Sequence, residues 1–241
     1  MTIIDNVLLF SVPVGLAVGL LVNYLADVLP VTRRLSKPAW LPLNAQAVGN
    51  YFYSPRKFVV HLIFLLAAIF AFSNPPREFA VWTFLVILIY FAMVAVIDIE
   101  HRIVMRPVSF AGAVIMGAIG IWRHGLVLTL IGAGSAFTVM LALYFAGDML
   151  GRGLARLRKQ RWQETALGFG DVNLAAVTGL LMGWPGGLVA LAIGIALAGV
   201  YSLVFVVVSL VRGKYELFAS IPYAPFLCIA TVALVASAIY S

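Results

Sequence analysis

The sequence predicts an all-α fold, a polytopic membrane bundle of about eight helices. The first observation behind this prediction is composition, because 63% of the 241 residues are hydrophobic and only 10% are charged. A water-soluble domain does not need that much apolar surface. The second is that the apolar residues come in runs of roughly 15 to 24, the length that crosses the hydrocarbon core of a bilayer.

Each apolar run is predicted to form one span. The third, fifth and seventh runs contain no charged residue, whereas the second and the sixth are short, and the sixth could be a re-entrant segment instead. Several runs are rich in Gly, Ala and Ser, which suits close packing of helices in lipid. In chain order the runs cover residues 7–29, 58–72, 80–97, 107–122, 126–147, 171–184, 188–211 and 217–240.

The basic residues predict the orientation of the spans. Fourteen of the 16 lysines and arginines lie in the loops that follow odd-numbered runs. Because loops rich in Lys and Arg stay in the cytoplasm, these loops are predicted to be cytoplasmic and both termini to lie outside. The net charge of +7 then fits contact with anionic membrane lipids, and no nucleic-acid partner is expected.

No metal and no other cofactor is expected. The single cysteine, Cys228, lies inside an apolar run, where a packing role is predicted. One cysteine can form neither an internal disulfide nor a cysteine-based metal site. The histidines and acids lack the spacing of a metal site, and no glycine-rich loop follows a strand pattern as a nucleotide site requires.

Most of the nine acidic residues are predicted to be solvated or paired with arginines, and two need a functional explanation. Asp27 and Asp148 stand beside basic loops and are predicted to pair with neighbouring arginines. Asp98, in contrast, ends a run with no polar residue before it for more than three turns, and Asp171 begins the sixth run. A carboxylate within a span costs about 2.5–3.5 kcal/mol on insertion scales, so such residues are usually functional or paired.

By the predicted topology, Asp98 and Asp171 lie at the same cytoplasmic face and can share one site. Two adjacent carboxylates cannot both ionise easily, so one keeps its proton and the pair can activate water against a peptide carbonyl. Asp171 begins a helix and Asp98 ends one, so the helix dipoles favour Asp171 as the ionised base. Alternatively, both acids mark the membrane edge, paired with Arg102 or Arg106.

The residues around the two aspartates extend this candidate site. Gly168, Phe169 and Gly170 precede Asp171, and the two glycines are expected to let another backbone, such as an extended substrate, come close. His101 follows Asp98 by three residues and could touch it.

Four segments, in this order along the chain, resemble one known family. They are "GLLVNYLADVLP" (19–30), "AVIDIEHRIV" (95–104), "GFGDVNLAAVTGLLMGW" (168–184) and "IPYAPFLCIA" (221–230). The family is that of the type IV prepilin peptidases, membrane aspartyl proteases with a G-x-G-D motif. The resemblance implies that Asp98 and Asp171 are catalytic, and that Asn23, Pro222 and Pro225 support the site.

The chain also departs from the family's pattern. Pro107 stands two residues later than the family's proline. Asn173 takes the place of a lysine that often follows the second aspartate, and we count Asn173 as a candidate support residue. The first loop, 31–57, has no cysteine, whereas larger bacterial members carry two Cys-x-x-Cys pairs associated with zinc. The methyl transfer of bifunctional members is therefore not carried over.

We divide the chain into 1–57, the first span with a short basic loop, and 58–241, the protease core.

The resemblance implies a multi-pass aspartic endopeptidase of the inner (plasma) membrane. It would remove the short leader of prepilin-like substrates, type IV pilins or the pseudopilins of protein secretion, at the cytoplasmic face. Such substrates carry a basic leader before an apolar helix, and Glu100 could recognise the leader. The alternative is a small proton-coupled transporter with the aspartates as proton sites, although their place at one face and the lack of an inverted repeat favour the peptidase. A third interpretation is an inactive relative that assists assembly.

Overall fold

The structure is a computed structural model that describes residues 3–31, 54–74, 81–157, 168–213 and 222–240. All regular structure within these ranges is helical, which confirms the predicted all-α class. Helices form because apolar chain in lipid has to satisfy its backbone N–H and C=O groups internally. The helices are α1 (Ile3–Val31), α2 (Pro55–Ser73), α3 (Val81–His101), α4 (Arg106–Leu157), α5 (Phe169–Met182), α6 (Gly186–Val211) and α7 (Ala224–Tyr240).

Five of the described helices, α1, α2, α3, α4 and α6, are long and apolar enough to cross a membrane, as expected of a membrane protein. The 14 residues of α5 extend only about 21 Å, less than a hydrocarbon core of about 30 Å. The predicted count of eight spans and the outer location of both termini are not confirmed. Parts of the predicted basic loops (32–53, 158–161 and 214) and the start of the last run (217–221) lie outside the described residues.

The fourth and fifth predicted runs are two arms of α4 that meet at Gly125. This glycine has φ 76° and ψ 165°, a backbone conformation that residues with a Cβ rarely adopt. Gly120 and Thr129 lie on either side of Gly125, and a Cβ on Gly120 would lie only 3.3 Å from Cγ2 of Thr129. In a straight helix, two residues nine positions apart would be separated by about 13.5 Å along the axis. The arms therefore turn back toward each other at Gly125 without a separate loop.

The chain divides into two compact units, one of Met1–Ile97 with Ala236–Ser241 and the other of Asp98–Val235. In the first unit, α1 and α2 are antiparallel. Asn23 Nδ2 lies 3.1 Å from Nδ1 of His61, and four residues later Asp27 pairs with Arg56 at the start of α2. This ion pair confirms the predicted pairing of Asp27. The division of the chain at residue 57 stays a prediction.

In the second unit, α5 packs against α4 and α6. Gly179 of α5 and Gly132 of α4 approach so closely that neither has room for a Cβ, a contact typical of helices packed in lipid. On another side, Oγ1 of Thr178 lies 3.3 Å from Oγ1 of Thr231 in α7, and both residues are fully buried.

This threonine pair also shows how α5 and α7 are aligned. Thr178 lies seven residues after Asp171 in α5, and Thr231 lies seven residues after Ala224 in α7. Seven residues are about two helical turns. If the two helices run in the same direction from the threonine contact, their first turns are level. The electrostatic interaction of Asp171 with Tyr223, which precedes Ala224, agrees with that alignment.

We expect the threonine pair to contribute modestly to stability. A double-mutant cycle of Thr178→Val and Thr231→Val should give a coupling energy of about 0.6 kcal/mol and no more than about 1.7 kcal/mol, the range for hydrogen bonds between membrane helices. Unfolding of the purified protein in mixed micelles measures it. Thr138→Val is the control for the single substitutions, because Thr138 donates to a carbonyl of its own helix, that of Gly134. A coupling of zero would show that the two hydroxyls do not interact.

Candidate active site

Asp171 lies in the first turn of α5 and caps that helix. The N-cap residue, Gly168, is extended, with φ −78° and ψ 142°. Its carbonyl accepts the Asp171 N–H at 3.0 Å, and Oδ2 of Asp171 accepts the Gly168 N–H at 3.2 Å. This reciprocal pair fixes a carboxylate that is only 8% exposed at a helix N-terminus, where unpaired N–H groups need acceptors.

Gly170 lies against the short connection between α3 and α4. A Cβ on Gly170 would be 2.7 Å from Cβ and 2.8 Å from the carbonyl oxygen of Val104, so no other residue fits without displacing this connection. The backbone that approaches Gly170 thus belongs to the chain's own Val104. Gly168 is exposed, and the nearest atom to a Cβ there would be Oδ2 of Asp171 at 3.4 Å.

Asp98 lies in the last turn of α3. The N–H of Arg102 donates to its carbonyl oxygen at 2.8 Å, and Arg102 adopts a left-handed φ of 53°, which ends the helix. The Asp98 carboxylate accepts a main-chain hydrogen bond from Ala224, the first residue of α7, and lies near the charge of Arg102. Asp98 is 4% exposed, and its Oδ2 is buried without a hydrogen-bond partner among the described residues.

The carboxylates of Asp98 and Asp171 lie close enough to interact electrostatically. Two further side chains share this environment, because Tyr223 interacts with Asp171, and Cys228 interacts with both aspartates. Ala224 and Cys228 are one turn apart and lie on the same face of α7. Four titratable side chains from α3, α5 and the start of α7 therefore meet in the second unit.

The start of α7 makes a main-chain donor and a phenol available to the two aspartates. Pro225 has no N–H, and the N–H of Phe226 bonds the carbonyl of Tyr223 at 3.1 Å, so Ala224 supplies the donor to Asp98. Burial and the nearby charge of Asp171 raise the pKa of Tyr223. A phenol ordinarily ionises near pH 10, so Tyr223 keeps its proton at neutral pH.

The contact with α7 changes the expected electrostatics of Asp98. At the end of its own helix, Asp98 lies at the negative end of a dipole, which favours Asp171 as the ionised partner. However, each carboxylate accepts one main-chain N–H from a helix start, Asp171 from Gly168 and Asp98 from Ala224. These hydrogen bonds therefore offset the difference in helix dipole between the two carboxylates. The choice of Asp171 as the base stays a prediction.

Three other candidate residues lie near these contacts. Pro222 and Pro225 flank the pair formed by Tyr223 and Ala224, and Pro225 is buried. Phe169, beside Asp171, is 46% exposed, and its ring packs edge-on against Tyr144 of α4 at a centroid distance of 6.0 Å.

The structure does not link the remaining three candidates to the carboxylates. Asn173 follows Asp171 by two residues, about 200° around α5. Nε2 of His101 lies 4.0 Å from Oε2 of the exposed Glu100. Asn23 belongs to the first unit, where it donates to the carbonyl of Lys57 at 3.3 Å. Within the described ranges, no group of three or more His, Cys, Asp or Glu side chains could hold a metal ion.

Comparison with known families matches this chain to one of them. The sequence pattern of the type IV leader peptidase family matches residues 85–203, which contain Asp98, Val104, Gly170 and Asp171. No curated protein and no solved structure matches the chain. The matched segment includes both aspartate motifs and confirms the family that the motifs predict. Residues 85–203, about half of the chain, therefore belong to the type IV leader peptidase family.

Proposed function

We propose that this protein is a membrane aspartic endopeptidase that removes the short leader of prepilin-like substrates, with Asp98 and Asp171 as its catalytic pair. The observation that carries the proposal is the two buried carboxylates, from different helices, that interact with each other. Buried carboxylates in a membrane protein are expensive and are usually functional unless paired. Each aspartate accepts a main-chain N–H, which orients its carboxylate, and neither forms a salt bridge with a lysine or arginine among the described residues.

The paired carboxylates can supply both acid and base. The ionised carboxylate takes a proton from water as the water oxygen attacks the scissile carbonyl carbon, and the protonated carboxylate gives its proton to the carbonyl oxygen. When the tetrahedral diol breaks its C–N bond, the first carboxylate delivers its proton to the leaving nitrogen. The second recovers a proton from the diol hydroxyl as the C=O bond re-forms. One water is consumed and the pair again holds one proton.

The surroundings of the pair suit a substrate that combines an apolar helix with a basic leader. Ile99, which follows Asp98, is 61% exposed, and Phe169, two residues before Asp171, is 46% exposed. Both side chains offer apolar contact to a substrate. Glu100 is also exposed and offers a negative charge to a basic leader. The positive-inside distribution of Lys and Arg supports cleavage at the cytoplasmic face of the inner membrane. The location of both aspartates at helix ends favours a peptidase over a proton-coupled carrier, whose sites lie near the bilayer midplane.

Co-expression with a prepilin-like substrate tests this proposal. In cells that lack their own leader peptidases, mass spectrometry of the membrane fraction should show the substrate shortened by its leader. A substrate whose scissile peptide bond is replaced by an X–Pro bond serves as the uncleaved control. If the protein is present in the membrane and no substrate with a basic leader and an apolar helix is shortened, the proposal fails.

We also expect the new N-terminus of the cleaved substrate to be unmethylated. The first loop, 31–57, contains no cysteine, so it cannot form the four-thiolate zinc site of the larger bacterial members. Mass spectrometry of the N-terminal peptide of the product measures this directly, with a chemically methylated peptide as the standard. A product carrying one added methyl group would show that methyl transfer does not require that site.

A further inference from the structure

We propose that Tyr223 is a catalytic residue whose hydroxyl donates a hydrogen bond to the oxygen of the tetrahedral intermediate. This inference rests on the proposed peptidase function. Its basis is the turn before α7, where Ala224 bonds the carboxylate of Asp98 and the adjacent side chain of Tyr223 interacts with Asp171. One of these two consecutive residues thus bonds Asp98, and the other lies within electrostatic range of Asp171.

The hydrogen-bond inventory around the pair supports this role. The hydroxyl of Tyr223 is buried and has no partner among the described residues, and the same is true of Oδ2 of Asp98. Buried polar groups are nearly always satisfied, so such groups near a reaction centre call for an explanation. A tetrahedral intermediate offers an acceptor to the phenol and a hydroxyl to the carboxylate, so a single bound group satisfies both.

The chemistry of the phenol fits a donor rather than a base. The carbonyl oxygen gains negative charge as water attacks, and a donor already in place lowers the energy of that state without reorganisation. The proton stays on Tyr223 throughout, because a buried phenol beside a carboxylate ionises only at strongly alkaline pH. The protons that move remain those of the aspartates and water.

Tyr223→Phe tests the donor, because it keeps the aromatic ring and removes only the hydroxyl. We expect kcat to fall about 10²- to 10³-fold, as for the loss of one oxyanion donor, with KM within about twofold of the wild type. Tyr201→Phe is the matched control, since Tyr201 is 47% exposed and its ring packs against that of Phe226 at an angle of 46°, a contact that does not need the hydroxyl. An unchanged kcat in Tyr223→Phe, or a loss caused only by a raised KM, would overturn the assignment.

The acidity of the phenol gives a second readout that a purely structural role would not alter. Site-specific fluorotyrosine at position 223 lowers the phenol's pKa and so makes its hydroxyl a stronger hydrogen-bond donor, with little change in the size of the ring. At neutral pH the phenol keeps its proton, so kcat should rise while KM stays unchanged, because a stronger donor stabilises the developing negative charge better. Asp171 and Cys228, which interact with this phenol, are unchanged in this variant. An unchanged kcat would overturn the proposal, even if Tyr223→Phe proves unstable.

The two proposals can fail separately in this assay. If the wild type cleaves, Asp98→Asn does not, and Tyr223→Phe cleaves normally, only the role of Tyr223 is overturned. If the wild type cleaves no leader-bearing substrate, the peptidase proposal fails, and the role of Tyr223 is overturned with it.

Discussion

Asp98→Asn and Asp171→Asn should each reduce the rate of leader removal by at least about 10³-fold. An amide has nearly the shape of a carboxylic acid but can neither take a proton from water nor give one to the carbonyl oxygen, and general acid–base catalysis contributes about 10²- to 10⁴-fold. Because both side chains are buried, removing a charge should not weaken folding. Initial rates on a purified substrate, together with unfolding in detergent, would separate catalysis from stability.

Asp148→Asn provides the matched control for these two variants. Its predicted pairing with a neighbouring arginine is confirmed, because Oδ2 of Asp148 lies 2.7 Å from Nη2 of Arg152 one turn later in α4. The arginine side chain is 63% exposed and that of Asp148 is 15% exposed, so water screens the pair from the arginine side. Losing it should cost no more than about 1 kcal/mol and leave the rate unchanged. A variant of Asp98 or Asp171 that retains more than a few per cent of the wild-type rate would remove that residue from the mechanism.

Gly170→Ala is expected to damage both the site and the fold around it. The new Cβ would lie 2.7 Å from Cβ and 2.8 Å from the backbone oxygen of Val104, so the connection after α3 has to move away from the start of α5. Overpacking of this kind typically costs about 1–3 kcal/mol. Because the connection follows Asp98 and the glycine precedes Asp171, we expect the cleavage rate to fall at least about tenfold.

Gly134→Ala serves as the control for the glycine variant. Gly134 lies inside α4, and a Cβ there would meet nothing within 4 Å, so alanine should stabilise the helix by up to about 1 kcal/mol. In the Gly170→Ala background, Val104→Gly should restore part of the rate, because it removes one of the two clashing atoms. Wild-type rate and stability in Gly170→Ala would show that the close contact with Val104 does not shape the site.

Glycine in the G-x-G-D motif thus has two structural roles. At position 168 the main-chain N–H bonds the carboxylate of Asp171, and the residue itself remains exposed. At position 170 the absence of a side chain lets Val104 approach from the α3–α4 connection. Gly170 is therefore covered by the chain's own backbone, whereas Gly168 stays open.

The order and type of the helices follow from the sequence alone. Apolar runs in lipid can satisfy their backbone groups only as helices, so composition and run length suffice to predict α1, α2, α3, α5 and α6 to within a few residues. They predict both arms of α4, but this helix continues to Leu157, beyond the predicted end at residue 147. The same reasoning singles out Asp98 and Asp171, because a carboxylate beside a long uncharged run is costly wherever the helix finally packs. The pairing of Asp27 and Asp148 with arginines was also predictable, since the partners are local or lie beside a basic loop.

What only the tertiary structure decided is how the helix ends meet. Three features depend on contacts that the local sequence does not encode. The helix α4 turns back at Gly125 without a loop, Val104 contacts Gly170, and Ala224 donates to Asp98. Tyr223 and Cys228 lie within the segment 221–230 that resembles the family, but only Pro222 and Pro225 of that segment are candidate site residues from the sequence. Hydrophobic pattern specifies which residues form a helix, but the depth and rotation at which helices pack depend on side-chain fit between neighbours, and no local pattern encodes that fit.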